Sequence, residues 1–415
     1  MQLELANHIV ESLSLEGPTR LDGTCLHVTE EDVRALLSAD APVELVQVAV
    51  ALPGQGRRMA PVLDVVEPRA KEEPEASAFP GFASPPLGAG QGRTHVLAGM
   101  AVMAVAELPG AQEGVVDMSP EAADFCPFAR TANLVLHLKP KPGAGRVAAD
   151  SAIRGLTLGL AERLASLARG RQPDRVETWE RGPASPELPR AALVYLVQSQ
   201  GDLRRTYVYG YPVDAILPTA LDPLEVLDGA VVSGNFVMPS NKTCTYIHQN
   251  NPLIRELLAR HGRDLDFAGV VLANEMSRMS DKQRTAAMAA GMVRRMGASG
   301  AIINQEGGGN TVTDVMMLCR ELEAKDIKTV LLLNEFAGED GTTPSLTETT
   351  PEALAIVSAG NNDHRIELPA PGGLIGSQNI PGVTGDLSGP ISLPLGRLHS
   401  STNQLGFNRL ACVSQ

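Results

Sequence analysis

The stretch "FAGVVLANE" (Phe267–Glu275) is an apolar run that stops abruptly on an amide and a carboxylate. A helically spaced segment follows, "DKQRTAAMAAGMVRRMG" (Asp281–Gly297), and then a second apolar run, "GAIINQE" (Gly300–Glu306). A second helical segment, "TVTDVMMLCRELEAKD" (Thr311–Asp326), leads to a third run, "KTVLLLNEF" (Lys328–Phe336). Short continuous apolar runs that alternate with amphipathic helices predict a parallel sheet with helical crossovers. The segment from "PEALAIVSAG" to "HRIELP" continues that unit. All three runs end polar, on Asn274-Glu275, Asn304-Gln305-Glu306 and Asn334-Glu335. Ligands of such sheets bind beyond the carboxyl ends of the strands, so a site is expected at that edge.

Upstream the pattern is less regular. "TEEDVRALLS" (Thr29–Ser38) predicts a helix capped by Thr29, with an acidic first turn that suits the positive end of the helix dipole. "VELVQVAVAL" (Val43–Leu52), "THVLAGMAVMAVAEL" (Thr94–Leu108), "ANLVLHLKP" (Ala132–Pro140), "AALVYLVQSQ" (Ala191–Gln200) and "RTYVYGYPV" (Arg205–Val213) predict strands, and Val147–Gly170 a long helix. Residues 66–92, dense in Pro, Gly, Ala and charge, read as an exposed loop. The fold class expected is therefore α/β: an N-terminal mixed α/β domain (1–232), a connecting segment (233–252), and a C-terminal Rossmann-like parallel sheet with helical crossovers (253–415).

With 415 residues the chain can bury more than one core, and 43% hydrophobic against 20% charged residues is a folded-protein composition. A net charge of −13 argues against binding to a phosphate backbone, so no nucleic-acid partner is expected. The start lacks a basic, apolar leader, and no run approaches a membrane span, so a cytoplasmic protein with no membrane partner is expected. Five scattered cysteines without a CxxC pair predict neither a disulfide framework nor a structural metal site.

Two turns at the polar edge could carry chemistry. In "NQEGGGNTVTD" (Asn304–Asp314), Gly307, Gly308 and Gly309 free the backbone so that N–H groups can converge on an anion at a helix start, with Asn310 beside them. The same spacing also serves as a plain tight turn, and it matches neither a Walker A loop nor GxGxxG. In "NEMSRMSDKQR" (Asn274–Arg284), Ser280 or Asp281 is the expected N-cap. Asp363-His364-Arg365 reads as surface. HExxH, EF-hand, GxSxG and kinase signatures are absent from the sequence.

The remaining feature is "SGNFVMPSNKTCTYIHQNNP" (Ser233–Pro252), irregular in pattern and read as loop or turn, with Cys244 between two threonines and His248 four residues on. Free cysteine is most often a small buried hydrophobe. A thiol in an irregular Thr-Cys-Thr segment can instead attack the carbonyl before it, converting the Thr243–Cys244 peptide to a thioester. Elimination then leaves dehydroalanine, and hydrolysis a pyruvoyl group at a new N-terminus. Composition alone does not choose between the two.

The segments "DGAVVSGN", "NKTCTYIHQNNPLI" and Asp266–Glu335 resemble the proprotein subunit of component B of the glycine, sarcosine and betaine reductases, with the D-proline reductase proprotein a more distant relative. The resemblance implies a self-processing oxidoreductase subunit. Cys244 is its implied pyruvoyl precursor, with Ser240, four residues earlier, the alternative precursor. The cofactor implied is the covalent, self-derived pyruvoyl group, activating an amine or amino-acid substrate for reductive C–N cleavage. No selenocysteine or thiol pair is present, so the reducing centre is expected from a selenocysteine- or cysteine-containing partner subunit, in an oligomeric complex. On this view His248 acts as acid or base, and Asn250, Asn251, Glu275, Gln305, Glu306, Gly307, Gly308, Gly309 and Asn310 position the substrate. Two rival readings are an uncleaved scaffold subunit and a nucleotide-binding protein that uses the glycine-rich turn.

Overall fold

A computed structural model describes the chain except for residues 83–84, 86–87, 112, 184, 201–202, 204–205, 236, 408–409 and 413–415. It is mixed α/β throughout. Its largest sheet has seven strands in the order Thr219–Leu221, Asp266–Asn274, Arg190–Val197, Gly300–Gln305, Lys328–Glu335, Ile356–Asn361 and Ala411–Cys412. The five inner strands are parallel and the two edge strands antiparallel.

The apolar runs in Phe267–Glu275, Gly300–Glu306 and Lys328–Phe336 all form strands of this sheet. Helices Met279–Arg295 and Val312–Glu323 lie in the crossovers between them. The sheet is not assembled from the C-terminal half alone, however. One inner strand, Arg190–Val197, comes from before residue 232 and pairs on both sides with strands from after residue 252. That strand is buried on both faces. Leu193, Tyr195 and Val197 enter one core, while Ala192, Val194 and Leu196 enter the other beneath the two crossover helices. A strand buried on both faces carries no alternation to mark its place in a sheet, so its neighbours are not legible locally.

The upstream residues build two four-stranded sheets. One orders Arg175–Glu180, Gln2–Ile9, Gly92–Ala98 and Arg69–Lys71; the other orders Val43–Ala51, Ala132–Pro140, Met100–Ala106 and Val62–Val66. The single run Thr94–Leu108 divides between them at Gly99. Its φ of +88° and its closeness to the Val10 carbonyl, 2.9 Å from where a Cβ would stand, require glycine. The long helix, Arg146–Ser166, packs over both sheets. A strand from the far end of the chain, Gly373–Gly376, pairs in parallel with Arg57–Ala60.

Several expectations need correction. The supposed exposed loop 66–92 contains the strand Arg69–Lys71, and Val66–Lys71, Ser77–Pro80 and Ala89–Gly90 are buried. Its charges misled because they are paired: Arg69 with Glu67, and Lys71 with Asp228. The helix after Asn274 is capped at Arg278, which places Ser280 and Asp281 inside its first turn. The predicted strand Arg205–Val213 is a small hairpin of Tyr207–Val208 with Tyr211–Pro212, and residue 205 lies outside the described residues. Segment Ser233–Pro252 is not simply a loop: it holds a 3-10 turn at Pro239–Asn241 and a helix at Thr245–Gln249. Among the described residues no helix is long and apolar enough to cross a membrane.

Candidate functional site

The segment around Cys244 lies between the layers. Cys244 and Ile247 belong to the core that joins Met103, Val105 and Val135 of an upstream sheet to Leu193, Tyr195 and Leu272 of the large one. Cys244 is fully buried and caps the short helix Thr245–Gln249, its carbonyl accepting from Ile247 N (3.0 Å) and His248 N (3.1 Å). Burial, followed by the nearby Asp64, pushes the thiol well above its usual range, so it is held as S–H.

Two charged groups flank it. Asp64, from the strand Val62–Val66, accepts from the Thr245 N–H (2.9 Å) and the Thr245 hydroxyl (2.7 Å). Lys242 Nζ donates to the Gly234 carbonyl at 2.5 Å. Burial drives Asp64 up and Lys242 down, each toward neutrality, and the attraction between them opposes both shifts.

From Thr243 a line of polar side chains runs toward the polar sheet edge. The Thr243 side chain bonds to the Tyr195 hydroxyl, and Tyr195 lies 3.1 Å from His248 Nδ1. His248 Nε2 then faces Glu306 Oε1 at 3.6 Å, too long for a hydrogen bond. Burial, reinforced by Lys242, pushes His248 down to about 3, so the imidazole is neutral and this contact is not an ion pair. In the tautomer in which Tyr195 donates to Nδ1, the single ring proton sits on Nε2 and faces Glu306. Burial also lifts Glu306 up to about 7, although its Oε2 accepts from Gln198 N (2.9 Å) and the Thr206 hydroxyl (2.7 Å).

The parallel register gathers the strand ends here: Val197 pairs with Asn274, and Leu196 with Gln305. Beyond the line just described lies a set of buried polar atoms with no hydrogen-bond partner among the described residues. These are His248 Nε2, Glu306 Oε1, both Glu275 oxygens, both Asn304 side-chain atoms, and the side-chain carbonyl oxygens of Asn274, Gln305, Asn334 and Gln404. Glu275 is wholly buried, and burial, reinforced by Asp314 and Glu306, raises its carboxyl well above the usual range. An unpaired buried polar group costs about 1–3 kcal/mol, so a concentration of them at one sheet edge has the character of a polar-ligand site.

The expected residues divide. Cys244, His248, Glu275, Gln305 and Glu306 come together at this edge. Ser240 is buried nearby, with its hydroxyl on Asn362 Oδ1 at 2.5 Å. Asn250 and Asn251 have structural partners instead: Asn250 bridges Glu67, Arg69 and Arg255, and Asn251 caps the helix Pro252–Arg260. In the glycine turn the Gly307 carbonyl is tied by Gln305 (3.3 Å) and Gln404 (3.2 Å), a Cβ on Gly308 would meet the Phe336 ring at 2.5 Å, and Asn310 is exposed. Sequence reasoning missed Asp64, Tyr195, Lys242, Asn403 and Gln404. Tyr195 carried a faint signal, as the one polar-tipped side chain within the apolar run "AALVYLV".

The model of a family described as glycine/sarcosine/betaine reductase component B subunits matches residues 1–413. The chain is 36% identical, over 99% of both chains, to a protein named glycine reductase complex component B subunits alpha and beta from Acetoanaerobium sticklandii. It is 36% identical, again over 99% of both, to the sarcosine reductase complex component B subunit alpha of Peptoclostridium acidaminophilum. The D-proline reductase proprotein of A. sticklandii matches at 31% over 98 residues, 24% of this chain and 15% of that protein. No solved structure matches.

Proposed function

The chain belongs to the family of glycine/sarcosine/betaine reductase component B subunits, and we propose that it is the self-processing subunit of such a reductase complex, broken between Thr243 and Cys244. One observation supports this above the others. The buried Cys244 begins the short helix whose His248 faces the unpaired polar cluster, so an N-terminus created at residue 244 would open beside that cluster.

In the scission proposed, Cys244 Sγ bonds to the Thr243 carbonyl carbon, the C–N bond breaks, and the thiol proton passes to the freed nitrogen. Loss of the Cys244 α-proton then expels a thiocarboxylate and leaves dehydroalanine. Water replaces its nitrogen as ammonia, giving the pyruvoyl group. That group supplies an electrophilic ketone able to draw electrons from the C–N bond of a bound amine.

The residues present suit such a group. Lys242, whose nitrogen carries more N–H groups than the one on the Gly234 carbonyl, offers a donor near residue 244, and helix Thr245–Gln249 holds it from the other side. Glu306, titrating near neutrality, can give or take a proton, and the neutral His248 connects it to Tyr195. The amides of Asn304, Gln305, Asn334 and Gln404 can receive the polar end of a small amino acid or amine, with Glu275 placed for its cationic end. The reducing centre comes from a selenocysteine- or cysteine-containing partner subunit.

Intact mass of the purified protein tests this. Two chains meeting at 243/244, the downstream one blocked at its N-terminus and labelled by hydrazine, support the reading. A single full-length chain sinks it. Cys244→Ala should abolish the break while Ser240→Ala leaves it, and the reverse result would move the precursor to Ser240.

A further inference from the structure

Among the described residues, neither the Thr243 carbonyl nor the Cys244 N–H takes part in a hydrogen bond, although the chain on both sides is tied tightly. Downstream, Thr245 is held by Asp64, and the Cys244 carbonyl by Ile247 and His248. Upstream, besides the Ser240 hydroxyl on Asn362 and the Lys242 ammonium on Gly234, five ties come from one short segment near the far end of the chain, Ser400–Asn403. The Pro239 carbonyl accepts from Ser400 N (2.7 Å), and the Ser240 carbonyl from Thr402 N (2.8 Å). The Lys242 carbonyl accepts from both Ser400 Oγ (3.0 Å) and Asn403 Nδ2 (3.2 Å), and Asn403 Nδ2 also donates to Thr243 Oγ1 (2.9 Å).

This arrangement is costly in its own terms. Ser400 has φ +63°, a left-handed conformation that costs a serine about 1–2 kcal/mol. Six consecutive polar residues, His399–Gln404, are fully or almost fully buried. Strain and buried polarity persist where surrounding structure enforces them, and here both converge on the residues just before one peptide bond.

We propose that Asn403, seconded by Ser400, is the positioning residue for self-scission: it fixes Lys242 and Thr243 so that the unpaired Thr243 carbonyl carbon stays presented to the Cys244 thiol. The inference rests on the reading that the chain breaks at Thr243–Cys244. A carboxamide suits the task because its two N–H hydrogens can serve two acceptors, the carbonyl of one residue and the hydroxyl of the next. With φ of Thr243 fixed from one side and residues 244–245 fixed from the other, the flexible element left is the scissile peptide itself. The step gains by orientation: Sγ–C forms, C–N breaks, and the proton moves from sulfur to nitrogen, with no external reductant or oxidant.

The test follows precursor decay by intact mass in wild type, Asn403→Ala, Asn403→Asp and Ser400→Ala. Asn403→Asp is nearly isosteric and keeps an oxygen for the Leu405 N–H, but it replaces the donor by a buried carboxyl, so circular dichroism measures the folded fraction of both Asn403 variants beside cleavage. Hydroxylamine, which captures thioesters, is added to each to count chains that have reached the acyl shift. The expected result, counted on the folded fraction of each variant, is a cleavage rate lower by about tenfold or more in both Asn403 variants, a smaller loss in Ser400→Ala, and a reduced hydroxylamine-captured fraction. Cleavage of Asn403→Asp at the wild-type rate overturns the assignment. So does slow cleavage with an undiminished captured fraction, because the defect would then lie after the acyl shift. A wild-type chain that never breaks overturns the parent reading instead, a result distinct from both.

Discussion

Replacing Glu306 by Gln should stabilise the protein above neutral pH and leave it unchanged in mild acid. Burial holds this carboxyl at about 7 in the folded chain, against an ordinary value of 4.5. An unfolded chain therefore ionises Glu306 through 4.5, whereas the folded chain ionises it only through about 7. Between those values the folded state binds more protons, so stability falls as pH rises across the window. The difference corresponds to roughly 3 kcal/mol, fully present above pH 7 and absent below about 4.5. Glutamine keeps an oxygen for the Gln198 N–H and the Thr206 hydroxyl but has no charge to desolvate. At about 2.1 cal/mol/K of unfolding entropy per residue, 415 residues give about 0.9 kcal/mol/K, so the gain is a melting shift of about 3–4 °C at pH 8. Both proteins should carry Cys244→Ala, so that a single uncleaved chain is compared. The single Trp makes circular dichroism the better probe, at one fixed scan rate. A pH-independent difference between pH 5 and 8, or a loss at pH 8, would refute the reasoning.

Three further outcomes are expected. In the assembled reductase, activity should show a limb near pH 7 from Glu306, and Glu306→Gln should remove that limb while any others persist. Tyr195→Phe strips the partner from His248 Nδ1 and from the Thr243 side chain in a fully buried position, and should cost about 1–3 kcal/mol in denaturant titration. Arg58→Met removes a wholly buried guanidinium that pairs with Asp117 (2.6 Å) and donates to the carbonyls of Leu387, Gly389 and Pro369. Asp117 is then buried unpaired, at about 3–5 kcal/mol read by the same titration.

What could be read in advance followed the physics of each signal. The runs ending at Glu275, Glu306 and Glu335 announced themselves because a parallel strand inside a sheet is a continuous apolar run with polar ends, and those ends mark the edge where the unpartnered polar atoms gather. Arg190–Val197 had the same texture, but pairing partners are a long-range property that no local pattern encodes. The charges of residues 66–92 suggested solvent, because composition counts Arg69 and Lys71 without seeing Glu67 and Asp228 beside them. The six polar residues of "HSSTNQ" (His399–Gln404) carry no local signal of their burial, because only the fold turns them inward, with Asn403 onto Lys242 and Thr243. Asn250 and Asn251 sit at the junction of two helices, where one joins an arginine network and the other caps the second helix.

The strand Arg190–Val197 lies between two strands from beyond residue 252, and Gly373–Gly376 lies against Arg57–Ala60. A break at residue 243 would therefore cut the polypeptide without dividing the molecule. Each product would keep a strand inside the other's sheet, and pulling them apart would mean dismantling hydrophobic interiors rather than parting two surfaces. Such a pair would form readily only while joined, since after the cut the inserted strand Arg190–Val197 must find its slot as a separate molecule. Severing one bond would thus turn an ordinary fold into a heterodimer with a memory: assembled once, and not readily assembled again from its parts.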